Sequence, residues 1–185
     1  MKLLLCSASP RRREFLERIG VRFAAAPAHI DEGRRPGERP LDYVRRMARE
    51  KAEACGRSGH VALAADTVVV VGDEVLGKPR DREDAARMLR TLSGIEHRVI
   101  TAVCVPPEIQ AVETTVKFAP LSEAQIRWLS DSGDGDDKAG AYAVQGLAGA
   151  FVERIDGSFT NVVGLPMVET LQMLARAGVE LPWAT

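Results

Sequence analysis

Asp66 is the residue whose setting most needs a chemical explanation. It stands between Val61-Ala62-Leu63-Ala64-Ala65 and Val68-Val69-Val70-Val71, so the chain carries a carboxylate into an apolar segment. Burying an uncompensated carboxylate costs several kcal/mol. Asp66 is therefore paired, metal-bound or at a cleft. A purely structural alternative fits the same residues, namely an Asp that accepts backbone hydrogen bonds at a strand bend. A second group, Ser7-Ala8-Ser9-Pro10-Arg11-Arg12-Arg13, brings together two hydroxyls, the amides of a helix start and a run of guanidinium groups. Phosphates are recognised by this combination: a helix N-terminus carries partial positive charge, and Arg presents a bidentate fork to phosphate oxygens. The plainer reading is a capped helix with a solvated basic face.

Gly72-Asp73-Glu74-Val75-Leu76-Gly77-Lys78-Pro79 matches the spacing of a phosphate-binding P-loop up to its last position. There Pro79 has no hydroxyl for magnesium, and Asp73 and Glu74 put negative charge where phosphates would lie. We read it as a hairpin turn leading to Lys78, which can still reach an anion from outside any P-loop. Singly, Glu32, Lys51 and Gln145 are surface residues by default. Joined with Asp66 they would supply a metal-bound triphosphate with acids and cations.

The elements that must position these groups alternate in type. Leu3 to Cys6 reads as a buried strand, and Pro10 to Ile19 as a helix with Pro at its first position and Gly20 as its C-terminal cap. Val21 to Ala26 is a second strand, and His29 to Pro40 a polar loop that contains Asp31-Glu32. Leu41 to Arg57 has helical periodicity in Leu41, Val44 and Met47. Val61 to Val71, apolar on both parities, reads as a strand covered on both faces. Asp81 caps a helix from Arg82 to Leu92, and Val99 to Val105 and Ala111 to Phe118 form neighbouring strands across Pro106-Pro107. Ser122 with Gln125 opens a helix containing Trp128 and Leu129. Ser132 to Ala139 is an irregular loop, Ala150 to Ile155 a strand, and Leu165 to Ala177 a terminal helix. The predicted fold class is α/β, with a mixed central sheet and flanking helices in a single domain over 1–185.

Composition narrows the function. With 25 Lys and Arg against 26 Asp and Glu, the formal charge of −1 gives no global basic field, so nucleic acid is not an expected partner. No apolar run approaches the roughly 20 residues of a membrane span, and Met1 to Leu5 is too short for a secretory signal. The expected location is the cytoplasm, without a membrane partner. Basic residues divide into 20 Arg and 5 Lys, so each Lys is the more informative. Cys6, Cys55 and Cys104 fit neither a disulfide framework nor zinc spacing, and His29, His60 and His97 are equally scattered. Trp128 and Trp183 are expected in the core or at an interface.

Taken in order, Ser7-Ala8-Ser9-Pro10-Arg11-Arg12, Asp31-Glu32, Glu50-Lys51-Ala52, Ala65-Asp66-Thr67-Val68, Gly77-Lys78-Pro79, Gly140-Ala141-Tyr142-Ala143-Val144-Gln145-Gly146 and Asn161-Val162-Val163-Gly164-Leu165-Pro166 resemble the motifs of the Maf family in spacing as well as type. The resemblance runs from Leu3 to about Leu174. It implies a nucleoside triphosphate pyrophosphatase that releases monophosphate and pyrophosphate with a divalent cation, Mg or Mn. It further implies an elongated, two-lobed fold with a central cleft, similar to inosine triphosphate pyrophosphatases, and a homodimer. On the same basis Asp66 is the catalytic acid. Ser7, Ser9, Arg11 and Arg12 form the phosphate-binding turn, and Glu32, Lys51 and Lys78 are supporting polar residues.

Three positions speak to substrate. Arg11, Thr67 and Gln145 resemble the dTTP/UTP pyrophosphatase branch, where the 7-methyl-GTP branch tends to have Trp, Gln and Glu. An aromatic and a carboxylate suit a cationic purine, and this chain has neither there. A Gln amide offers both donor and acceptor, as the N3–H and a flanking carbonyl of uracil or thymine require. Modified pyrimidine triphosphates, the substrates of a housecleaning role, fit the same site, since one substituent changes pocket energy by about 1–3 kcal/mol. The expected mechanism has a metal bound by Asp66, with Glu32 as second candidate ligand, and water attacking the α-phosphorus. Arg11, Arg12, Lys51 and Lys78 stabilise the developing charge. Sequence leaves Asp66 open between general base and metal ligand. The alternatives are a pyrophosphatase for 7-methyl-GTP or other modified purines, and a non-catalytic nucleotide-binding regulator of cell division. Two departures from the family pattern are the acidic, glycine-rich loop Ser132 to Lys138, where a Pro commonly precedes the Asp-Lys, and Cys6 in place of Ala, expected to be buried and inert.

Overall fold

A run of three leucines opens the fold. In the computed structural model, which describes residues 1–184, strand β1 (Lys2–Leu5) buries Leu3, Leu4 and Leu5 almost completely. Each such side chain contributes about 1.5–3 kcal/mol by leaving water. Helix α1 (Pro10–Ile19) follows, with Ser9 at its N-cap and Pro10 in its first turn. It ends where Gly20 adopts φ 83° and the Val21 N–H reaches back to the Leu16 carbonyl at 3.0 Å. Only a residue without a Cβ takes that left-handed geometry cheaply.

Strand β2 (Phe23–Ala25), helix α2 (Pro40–Cys55) and strand β3 (His60–Val71) come next. β1 pairs in parallel with β2 on one side and with β3 on the other. Strand order therefore reverses at β1, and in parallel sheets the loops beyond the carboxyl ends of strands at such a point are where ligands bind. α1 and α2 supply the crossovers. α2 buries Val44, Met47, Ala48, Ala52 and Cys55 along one stripe, as its periodicity requires.

The remaining elements are β4 (Glu74–Leu76), α3 (Arg82–Leu92), β5 (Glu96–Val105), β6 (Glu108–Phe118), α4 (Glu123–Ser132), β7 (Val152–Asp156), α5 (Phe159–Val163) and α6 (Met167–Arg176), with two short 3-10 turns at Ala139–Ala141 and Leu147–Phe151. The seven strands join in the order β2-β1-β3-β5-β6-β7, with β4 antiparallel beside β3. The chain divides into two compact units. The first comprises Met1–Asp66, Thr101–Val112 and the part from Gly164 onward, and the second Thr67–Ile100 and Glu113–Val163. β3, β5 and β6 each pass from one unit into the other. The first unit has its own core around Leu3, Leu5, Leu16, Leu63, Leu165 and Leu174, and the second around Leu76, Leu89, Leu92, Phe118, Ile126 and Tyr142.

Local signals predicted most of this, and the differences have physical causes. Asp81 does cap α3, accepting from the Asp84 N–H, and Ser122 with Gln125 forms the reciprocal capping box of α4. The P-loop lookalike is a hairpin, as its acidic turn demanded. β5 and β6 begin three residues earlier than the apolar runs suggested, at Glu96 and Glu108, because neighbouring strands keep pairing where side chains turn polar. Ala150 lies in a 3-10 turn rather than a strand, and α6 starts at Met167, not Leu165, since Pro166 occupies the N-cap. α5 was not foreseen; five residues show no period. Trp128 and Trp183 are 51% and 59% exposed, so neither is core. No helix among the described residues is long and apolar enough to cross a membrane.

Candidate active site

Asp66 is buried, and its partner is an ammonium group. Lys51, on the buried stripe of α2, places Nζ 2.6 Å from Asp66 Oδ1 and 3.0 Å from Glu32 Oε1. The structural alternative, a carboxylate satisfied by backbone amides alone, is not what is found: the Lys51 ammonium donates to Asp66 Oδ1. Burial pushes the Asp66 carboxyl above its ordinary value, and Lys51 and then Arg12 pull it back.

The register of the sheet explains why Asp66 meets the turn after β1. Leu5 pairs with Leu63, and the Cys6 N–H donates to the Leu63 carbonyl at 2.8 Å. Asp66 thus lies just beyond the carboxyl end of β1, where Ser7 and Ser9 lead into α1. The Ser7 hydroxyl accepts from the Ser9 N–H at 3.1 Å and from Arg12 Nη1 at 3.2 Å. Arg12 also donates from Nη1 to the Ala65 carbonyl at 2.7 Å and from Nε to the Gly164 carbonyl at 2.8 Å. One guanidinium fork ties the turn to the residue before Asp66 and to the start of the closing segment. Burial draws the Arg12 pKa down while Asp66 opposes the shift; a guanidinium starts high enough to stay charged. Ser9 makes no side-chain cap, so α1 begins with the uncapped geometry that suits an anion. Arg11 is half-buried on the same turn.

Sequence reading missed two residues that hold Glu32 in place. Tyr43 Oη donates to the Glu32 carbonyl at 2.8 Å. Arg46, one turn along α2, grips the Glu38 carboxylate with Nε and Nη2 at 2.6 and 2.7 Å, and reaches the Gly33 carbonyl at 3.0 Å. Its guanidinium also lies 5.5 Å from the Tyr43 ring centre. Hydrogen bonds from Arg46 bring the Glu38 pKa down to about 2. Burial, with Asp66 and Glu32 adding, pushes the Tyr43 phenol up to about 12. A Tyr and an Arg three apart on a helix opposite a polar loop was the available signal; nothing local said which loop residues they would meet.

Thr67, Lys78 and Gln145 belong to the second unit. Thr67 follows Asp66 on β3 and is half-buried. Lys78 is exposed just after the β4 hairpin and pairs with no carboxylate among the described residues. Gln145 is exposed in a segment whose buried anchor is Tyr142. Tyr142 packs edge-on against Phe118, with centroids 5.0 Å apart, and its hydroxyl lies 2.8 Å from His97 Nε2. His97 is almost wholly buried, and burial takes its pKa down to about 4. Cys6, Cys55 and Cys104 are all buried free thiols, and burial first of all raises the Cys6 pKa, as expected for an inert side chain.

These features define a mixed α/β protein with a carboxylate–lysine pair and an arginine-bearing helix start at the switch point of its parallel strands. Residues 2–177 match the family described as Maf-like protein, a match that runs through both compact units. The chain belongs to the Maf family. A dTTP/UTP pyrophosphatase of Anaeromyxobacter dehalogenans (strain 2CP-1 / ATCC BAA-258) is 55% identical, over 98% of this chain and 97% of that protein. Proteins of the same name from Hahella chejuensis and Myxococcus xanthus are each 50% identical, covering 97% and 98% of this chain and 94% and 95% of theirs.

Proposed function

We propose that this protein hydrolyses dTTP and UTP to the nucleoside monophosphate and pyrophosphate, as a cytoplasmic homodimer of single Maf-like domains. The observation that carries the reading is the buried Asp66 carboxylate, held by Lys51 beside an Arg-tied turn built for an anion. The names of the relatives, at about half identity over nearly full length, support the substrate. Modified pyrimidine triphosphates fall within the same chemistry.

Asp66 takes the proton of the attacking water, for which its raised pKa suits it. Arg11, Arg12 and Lys51, together with the Ser7 and Ser9 turn, bind the triphosphate oxygens and stabilise charge as the α–β bond breaks. Lys78 supplies a further cation, and Thr67 and Gln145 contribute to selectivity. The donor set also fits a hard divalent cation such as Mg or Mn. Such ions are held by one or two carboxylates completed by phosphate and water, and Asp66 and Glu32, both of which reach Lys51 Nζ, are the carboxylates that would hold one. A bound metal would neutralise the triphosphate and polarise the attacked phosphorus.

The test is a panel of canonical nucleoside triphosphates plus 7-methyl-GTP, incubated with wild type and Asp66→Asn in Mg or Mn, with products separated by anion exchange. Monophosphate and pyrophosphate from dTTP and UTP, lost in the variant, are expected. Orthophosphate release overturns the bond assignment, preference for 7-methyl-GTP overturns the branch, and no turnover by wild type overturns the activity.

A further inference from the structure

The acidic loop that departs from the family pattern lies directly against the segment carrying Gln145. The Leu147 N–H donates to Asp134 Oδ2 at 3.0 Å. A Cβ on Gly146 would fall 2.0 Å from that same oxygen, and a Cβ on Gly135 would fall 2.0 Å from the Ala141 carbonyl oxygen. Glycine at 135 is therefore required by close approach to backbone, whereas a methyl group at 146 would push the Asp134 carboxylate out of its place. Asp134 is itself held: its N–H donates to Ser132 Oγ at 3.2 Å, and its carbonyl accepts from Lys138 Nζ. Upstream, the Gly140 N–H donates to the Gly77 carbonyl at 3.0 Å, and Tyr142 is anchored by His97. The segment is thus fastened on both sides of an exposed Gln145.

A glutamine alone cannot tell uracil from cytosine. Uracil and thymine present an N3–H donor beside the O4 acceptor, and cytosine presents an N3 acceptor beside an N4–H donor. An amide that swings by half a turn satisfies either edge. Discrimination needs the amide delivered in one pose, which is a property of the backbone beneath it.

We propose that Asp134 is the positioning residue for base selectivity, fixing the Gln145-Gly146-Leu147 backbone so that Gln145 meets the uracil or thymine edge in a single orientation. This rests on the reading of Gln145 as the base-recognition residue.

The experiment measures kcat/KM for UTP, dTTP and CTP in wild type, Asp134→Ala, Asp134→Asn, Gly146→Ala and Gln145→Ala, with a thermal unfolding midpoint for each. Asp134→Ala should lower the UTP/CTP ratio about three- to tenfold and leave the dTTP/UTP ratio unchanged, because the thymine methyl is not read by the amide. Asp134→Asn, which keeps an acceptor oxygen, should retain most of the discrimination. Gly146→Ala breaks the same contact from the other side and should give the same loss, with little added in combination with Asp134→Ala. It also keeps the test available should Asp134→Ala fold poorly. An unchanged ratio in Asp134→Ala and Gly146→Ala, alongside a lowered one in Gln145→Ala, overturns the role of Asp134 and leaves the reading of Gln145 intact. An unchanged ratio in Gln145→Ala overturns both.

Discussion

Lys51 Nζ lies 2.6 Å from Asp66 Oδ1, in a setting where the lysine side chain is 11% and the aspartate side chain 12% exposed. The pair joins the middle of α2 to β3, and its electrostatics follow from the burial. Lys51 is the strongest of the influences that lower the Asp66 pKa against desolvation. Replacing Lys51 by Met removes that influence, so the Asp66 carboxyl rises further. The acid limb of the kcat/KM profile should move to higher pH in Lys51→Met, and the variant should be destabilised by about 3–5 kcal/mol, the usual cost of breaking a buried pair on one side. An acid limb that stays in place would show that Asp66 is not the titrating group.

Asp66→Asn keeps the shape of the side chain and removes the proton acceptor. Turnover should fall by a factor of about a hundred or more, with a folded protein by circular dichroism. Retained turnover in this variant would sink the assignment of Asp66 as the reacting carboxylate.

Arg12 is expected to tolerate no substitution by Lys. Its fork spans Ser7 Oγ, the Ala65 carbonyl and the Gly164 carbonyl, and a single ammonium cannot reproduce three divergent bonds. Arg12→Lys should lose about 1–3 kcal/mol of stability in a denaturant titration, because it leaves part-buried acceptors unpaired. KM for the triphosphate should rise as the turn loosens.

Arg46 predicts a separation of effects. With Arg46→Gln, the Glu38 carboxylate loses its partner and the loop bearing Glu32 loses the bond to the Gly33 carbonyl. In wild type the depressed Glu38 pKa contributes stability that is present above about 4.5 and is lost as pH falls toward about 2. That acid-labile component should vanish in the variant, as read by unfolding midpoints from pH 5 down. The concentration of Mg needed for half-maximal activity should rise, since Glu32 is then less firmly presented.

His97 supplies a different pH window. Its folded pKa of about 4 lies below the ordinary 6.5, so the folded state binds fewer protons between those values. Stability from this group is present above 6.5 and is lost as pH falls toward 4, by about 3 kcal/mol in all. His97→Phe should flatten the unfolding midpoint between pH 6.5 and 4.5, a range that lies above the Glu38 titration. An unchanged slope in that variant would remove His97 as its cause.

Where the chain's own neighbours decide the outcome, the residues alone were enough. Pro10 and Gly20 bracket α1, Asp81 caps α3, and Ser122 with Gln125 opens α4, because capping bonds span only a few positions. The alternation of strands and helices and the exceptional setting of Asp66 were legible for the same reason. The extents of β5 and β6 were not, since pairing with a neighbouring strand carries polar residues into a sheet.

Tertiary structure alone decided which partners the chemical groups received. The ammonium that holds Asp66 comes from 15 residues away, and the carbonyls that hold Arg12 from 53 and 152 residues away. Tyr43 and Arg46 drew no notice in the sequence, and Asp134 only as one member of an acidic loop, because each is an ordinary polar residue by type and spacing. Their roles arise from where the packed sheet and helices bring a loop backbone within hydrogen-bond reach, and no local pattern records that distance. The sequence by itself thus determined the elements and the kinds of groups available for chemistry. The fold determined their pairing, because pairing depends on separations in space that chain neighbours do not set.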